Sequence, residues 1–113
     1  MVIELFTFNR DWFGEVVMNR LKDKVAVITQ AGSYFGRAVA QAYADEGAKL
    51  YLQDWEERTD VIENLAKQIR RASDVEIYTG IYDITVAKET LKMTNDIIEK
   101  YERIDILVNT AME

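Results

Sequence analysis

Four short runs of aliphatic and β-branched residues, each separated from the next by a stretch with helical spacing, constrain this chain more than any other feature. Lys24–Thr29 (KVAVIT), Lys49–Gln53 (KLYLQ), Val75–Thr79 and Ile104–Asn109 (IDILVN) have the length and composition of strands. The first is apolar almost throughout, as expected of a strand covered on both faces. After it, Phe35–Glu46 reads as a helix with Phe35, Val39, Ala42 and Tyr43 on one side and Gly47 as its stop. Asp60 and Glu63 have the spacing of a capping box, and Val61, Leu65 and Ile69 make the inner stripe of the helix they open. Thr85 stands as a cap before a third helix, whose Ala87, Leu91, Thr94, Ile98 and Tyr101 share a face. Connections are short and proline is absent. The order therefore predicts right-handed βαβ units on a parallel sheet.

Composition narrows the chemistry. The 113 residues contain no cysteine and no histidine, which excludes zinc fingers, disulfide frameworks, Cys or Ser–His nucleophiles and imidazole catalysis. No metal site is expected. A formal net charge of -6 argues against nucleic-acid and anionic-membrane partners, which call for a basic surface. No apolar run approaches the ~20 residues of a membrane span, and the start of the chain lacks the basic region of a secretion signal. A cytoplasmic protein is the expectation. Residues 1–21 stand apart as an amino-terminal arm. Val2–Phe8 has strand character, and Asp11 stands as the cap of a short helix with Phe13, Val16, Val17 and Leu21 inside. The arm either packs on its own domain or grips another chain.

The turn after the first strand, Thr29-Gln-Ala-Gly-Ser-Tyr-Phe-Gly36, lies where a parallel α/β sheet binds ligands, at the carboxyl end of a strand and the start of a helix. Together with LKDKVAVIT before it, GRAVAQAYADEGAKL after it, Asp54 past the second strand, Tyr82-Asp83 past the third and DILVNTA at the end, it resembles the short-chain dehydrogenase/reductase family. The resemblance runs from about Leu21 to Met112. It implies a Rossmann-like three-layer αβα fold over residues 22–113, with a parallel sheet of about four strands in the order 3-2-1-4. Relative to the full family fold that sheet is truncated.

Against the family fingerprint Thr-Gly-x-x-x-Gly-x-Gly, Gln30 replaces the first glycine, Tyr34 replaces the second, and Gly36 keeps the third. The first glycine serves the tight turn and the second the approach of a diphosphate. Gln30 and Tyr34 are therefore expected to fill that volume and impair the site. By resemblance, the cofactor-binding candidates are Gly32, Gly36, Asp54, Asp83 and Asn109. Asp54 matches the acid on the adenosine ribose and would favour NAD over NADP, or else is a turn acid. Asp83 matches the acid near the adenine amino group, or is a helix-entry residue. Asn109 matches a sheet-stabilising position. Trp55 reads as a helix-entry packing group, or else covers an adenine edge, and Glu56-Glu57-Arg58 reads as a solvated face. The Asn, Ser, Tyr and Lys that carry the family's hydride-transfer chemistry lie past Glu113 by this resemblance, and no Tyr-x-x-x-Lys occurs in the chain.

No catalytic residue is therefore assigned. The first expectation is a non-catalytic, degenerate relative acting as a structural, regulatory or partner-binding subunit, with no cofactor, or NAD if any. The alternative is part of an NAD(P)-dependent short-chain oxidoreductase whose Ser/Tyr/Lys half is supplied elsewhere. The fourth strand would form a bare sheet edge, so self-association or a second protein chain is expected to cover it.

Overall fold

The computed structural model describes residues 19–110. Val25–Ile28 (β1) leads through a tight turn into Tyr34–Asp45 (α1), and Lys49–Asp54 (β2) follows. A single 3₁₀ turn at Glu56–Arg58 opens Thr59–Ala72 (α2), which returns to Ile77–Ile81 (β3). Ala87–Tyr101 (α3) then crosses to Ile106–Val108 (β4). The sheet order is β3-β2-β1-β4, parallel throughout, with Ile28 opposite Leu52 on one side and Val108 on the other. This is the doubly wound arrangement expected. Two crossovers move outward to β3, the third returns past β1, and each right-handed turn sets its helix on the corresponding face.

The two faces are unequally filled. Ala26, Ile28, Leu50, Leu52, Ile77 and Val108 meet Ala40, Tyr43 and Ala44 of α1 and Ile62, Leu65, Ala66 and Ile69 of α2. Val25, Val27 and Tyr51 point the other way, against Met93, Ile97 and Tyr101 of α3. Leu21 is buried in the larger cluster, but from a turn rather than the helix anticipated for it. The strand and helix expected before it lie outside the described residues.

The helix faces differ from expectation by about one residue. In α1 the buried positions are Gly36, Ala40, Tyr43 and Ala44, while Phe35 and Ala42 are exposed. Small residues let α1 lie close to the sheet, so the larger side chains are turned outward. In α2, Ile62 and Ala66 join Leu65 and Ile69, and Val61 is only partly covered. The expected capping box does not form. The 3₁₀ turn starts the helix at Thr59, which places Asp60 inside the first turn, and Glu63 accepts a hydrogen bond from the Thr79 hydroxyl at 3.0 Å instead. In α3, Met93, Ile97 and Tyr101 face the sheet, whereas Leu91 is 61% exposed and Ile98 is also exposed. Val86 rather than Thr85 occupies the cap position, without a side-chain bond. β3 runs two residues later than expected, because its pairing with β2 continues to Asp54 opposite Ile81.

Leu107, paired with Val27 and on the α3 side of the sheet, is 52% exposed. The Asp96 and Lys100 flank of α3 reaches Tyr51 and Tyr78 on β2 and β3. Leu91 and Ile98 occupy the opposite flank by helical geometry, toward β1 and β4. An apolar ledge therefore runs along the side of β4 that no described strand pairs.

Candidate functional site

The carboxyl ends of β1, β2 and β3 converge on the turn between β1 and α1. Gln30 holds this turn in the left-handed region, with φ at 48°, where the family fingerprint has glycine. Its buried backbone N–H donates to the Gln53 side-chain oxygen at 3.0 Å, and the Gln53 amide donates to the Tyr82 carbonyl at 2.7 Å. One fully buried side chain at the end of β2 thus ties the turn to the segment after β3. A polar residue closing an apolar strand was the available signal for Gln53, which sequence reasoning passed over.

Ser33 caps α1. Its hydroxyl accepts from the Gly36 amide at 3.0 Å and donates to the Gln30 carbonyl at 2.8 Å. At Gly36 an added Cβ would lie 2.5 Å from the Gln30 carbonyl oxygen, so glycine alone allows the helix to start this close to the turn. Tyr34 does not fill the loop as expected. Its ring is 91% exposed and lies beneath the Arg37 guanidinium, 5.4 Å away. Being the first residue of the helix, it projects its side chain off the turn rather than into it. Gln30, in contrast, is buried.

Asp54 is fully buried, with both carboxylate oxygens engaged. Oδ2 accepts from the Gly32 amide at 2.8 Å and Oδ1 from the Trp55 amide at 2.8 Å. Arg58, four residues on, places Nη1 3.5 Å from Oδ2. The Arg58 reading as part of a solvated face is corrected: its stem lies 3.3 Å from where a Gly32 Cβ would stand, and its Nη1 is buried without a hydrogen bond. Gly32 has no room for a side chain, because a Cβ would stand 2.7 Å from the Asp54 carboxylate.

Asp83 is exposed and accepts from the Thr85 amide at 3.0 Å and its hydroxyl at 2.5 Å, forming the entry turn of α3. It also helps line a cleft of about 320 Å³ with Trp55, Glu56, Ile81 and Tyr82, beside the ends of β2 and β3. Asn109 joins β4 to β1: its side-chain oxygen accepts from the Thr29 hydroxyl at 2.9 Å, and that hydroxyl accepts from the Thr110 amide at 3.0 Å. Thr110 bonds back to the Thr29 carbonyl. The structure thus brings Gly32, Gly36 and Asp54 together at one turn. Asp83 lies at the neighbouring cleft, and Asn109 in the β1–β4 seam. Among the described residues no group of His, Cys, Asp and Glu is arranged for a metal, and no helix is long and apolar enough to cross a membrane.

These residues fit the phosphate end of a dinucleotide. Gln30 reproduces the left-handed turn of the lost glycine, Gly36 keeps the close helix start, and the first turn of α1 presents backbone amides at the positive end of its dipole. Known proteins share this fold. A meso-2,3-butanediol dehydrogenase of Serratia marcescens is 36% identical over 92 residues, covering 81% of this chain and 35% of that protein. The crystal structure of L-sorbose reductase from Gluconobacter frateurii, complexed with NADPH and L-sorbose, superposes with a TM-score of 0.77 at 27% identity, over 82% of this chain and 35% of that one. A short chain dehydrogenase/reductase from Burkholderia phymatum in complex with NAD gives 0.70 at 31% identity, over 77% and 30%. The chain spans 35–39% of the length of the first curated relatives it matches. With residues 24–112 matching the short chain dehydrogenase family from the first strand through the fourth, the chain belongs to that family.

Proposed function

We propose that this chain is the nucleotide-binding part of an NAD(P)-dependent oxidoreductase. The observation that carries this reading is the turn at Gln30: a non-glycine residue holds the backbone conformation that glycine would supply, and the strand–turn–helix shape survives. The reading placed first from sequence, a non-catalytic structural or regulatory subunit, rested on two lost glycines and the missing catalytic half. Neither the fold nor the related dehydrogenases support it over the alternative.

In this function the start of α1 at Tyr34 and Phe35, between the internally bonded Ser33 and Gly36 amides, holds the diphosphate, and the cleft between Trp55, Tyr82 and Asp83 holds the adenine end. A bound nicotinamide dinucleotide supplies the hydride acceptor or donor. The chain's own residues orient it. The hydroxyl and amine that move protons belong to a complementary segment, since no tyrosine here has lysine four residues on. The ledge of Leu91, Ile98 and Leu107 beside the β4 edge, which no described strand pairs, is where such a segment, or another copy, would pack.

Calorimetric titration with NAD, NADH, NADP and NADPH tests the binding part. Micromolar affinity for at least one of them is expected, and heats indistinguishable from dilution would refute the proposal.

A further inference from the structure

The turn after β1 keeps its shape with glutamine, not glycine, at position 30, so its neighbours must hold that backbone in the left-handed region. Gln53 does so. Its carbonyl accepts from the Ala31 amide at 2.9 Å, and its side-chain oxygen accepts from the Gln30 amide at 3.0 Å. The other end of the same side chain donates to the Tyr82 carbonyl at 2.7 Å, and Tyr82 lines the cleft with Trp55.

One partner is a backbone N–H and the other a backbone carbonyl, so the position calls for an acceptor and a donor on one neutral side chain. Asparagine carries both, but on a stem one carbon shorter. Gln53 is fully buried, where slack in either bond leaves a polar group unsatisfied, and the link is therefore stiff. We propose that Gln53 is a positioning residue that couples the two ends of the ligand site. An anion on the Tyr34 and Phe35 amides and a base in the Trp55–Tyr82 cleft then bind cooperatively, because each restrains, through this one side chain, backbone that the other must order. The inference rests on the nucleotide-binding reading above and holds whichever dinucleotide binds.

The test is a calorimetric binding cycle on the full chain at pH 8. Inorganic pyrophosphate probes the turn, adenosine the cleft, and NAD or NADP, whichever binds tighter, both together. In the native chain saturating pyrophosphate is expected to tighten adenosine about fivefold, the lower end of coupling between sites, and adenosine to tighten pyrophosphate equally. Gln53→Met fills the space without either bond. It should keep each fragment within about twofold, cancel the coupling and weaken the dinucleotide about fivefold, because that ligand fills both places at once. Gln53→Glu supplies the rescue. Buried against the Tyr82 carbonyl, its carboxyl takes up a proton more readily than a free one, and once protonated it offers both bonds. Its dinucleotide affinity should match the native value at pH 6 and fall below it by pH 9. Asp54 and Arg58 beside the turn and Asp83 at the cleft are common to both chains, so the ratio of the two affinities isolates the new carboxyl. Thermal melts report which variants are folded, and if Gln53→Met is not, the native cycle and the Gln53→Glu ratio decide. Adenosine affinity indifferent to pyrophosphate in the native chain, full coupling in folded Gln53→Met, or a Gln53→Glu ratio that does not change with pH overturns the role of Gln53 and leaves nucleotide binding standing. Absence of binding by both dinucleotides overturns both.

Discussion

The Tyr51 hydroxyl donates to the Asp96 carboxylate at 2.6 Å, joining the middle of β2 to α3 beneath the sheet. Lys100 meets the other Asp96 oxygen at 2.5 Å and also lies 5.3 Å from the Tyr78 ring centroid. The Tyr51 ring lies across Gly80, where an added Cβ would stand 2.8 Å from its Cζ. β2, β3 and α3 are thereby fixed in one register by a single buried phenol.

Removing the hydroxyl should loosen that junction. Tyr51→Phe is expected to cost about 1–2 kcal/mol, the scale of a hydrogen bond to a charged acceptor. Gly80→Ala should cost about as much or more, since a rigid, fully buried ring must give way. Urea denaturation of the two variants measures both. A Gly80→Ala chain as stable as the parent would mean that the ring is free to move.

Gln30 sits at positive φ, where a side chain costs about 1–2 kcal/mol relative to the right-handed region. Gln30→Gly relieves this but adds backbone entropy to the unfolded chain and removes a buried side chain. The expected net effect is a stabilisation of up to ~1 kcal/mol, seen as a rise in Tm. Gln30→Ala, which keeps the strain and loses the packing, should be destabilised instead.

Alkaline pH should unfold the chain through two tyrosines. Burial, with the neighbouring Asp96, holds the Tyr51 hydroxyl far above its ordinary range, and burial with Glu76 nearby does the same to Tyr101. Both are neutral in the fold, so their contribution is complete below the unfolded tyrosine pKa of about 10 and is lost as pH rises through the folded value. The absorbance change of tyrosinate should show two late-titrating groups whose ionisation coincides with loss of helical circular dichroism. Normal titration of all six tyrosines in a folded chain would contradict this.

Acid acts at the opposite end of the sheet. Asp105 accepts from Arg103 at 2.6 Å and from the Val25 amide at 2.8 Å, and these bonds, the arginine first, lower its pKa. A depressed carboxyl pKa gives stability that is present above about pH 4 and lost as pH falls through the folded value. Asp105→Asn should therefore flatten the acid limb of a stability–pH curve while leaving the alkaline limb unchanged.

Much of this architecture was legible from residue pattern. β1 and β2 stand out because their apolar runs are buried on both faces, and the strand order was what the family resemblance implied. The helix faces were less legible for a specific reason. α3 carries two apolar stripes, Met93–Ile97–Tyr101 and Leu91–Ile98, and periodicity cannot say which one meets the sheet. At the site, the glycine pattern marked the turn before α1 but misjudged Tyr34, whose direction depends on where the helix begins. Arg58 looked like one more surface charge. Its pairing depends on the 3₁₀ turn at Glu56–Arg58, which brings it back over Asp54, and composition carries no sign of that turn.

The uneven filling of the two faces bears on how the molecule breathes. Among the described residues, sixteen buried ones knit α1 and α2 to the sheet, while α3 is held by a cluster of six. A helix held by the smaller cluster is expected to open before the turn at Gln30 does. Amide hydrogens of α3 should then exchange with deuterium well before those of β1 and β2, and any chain settling against Leu91, Ile98 and Leu107 would slow that exchange first.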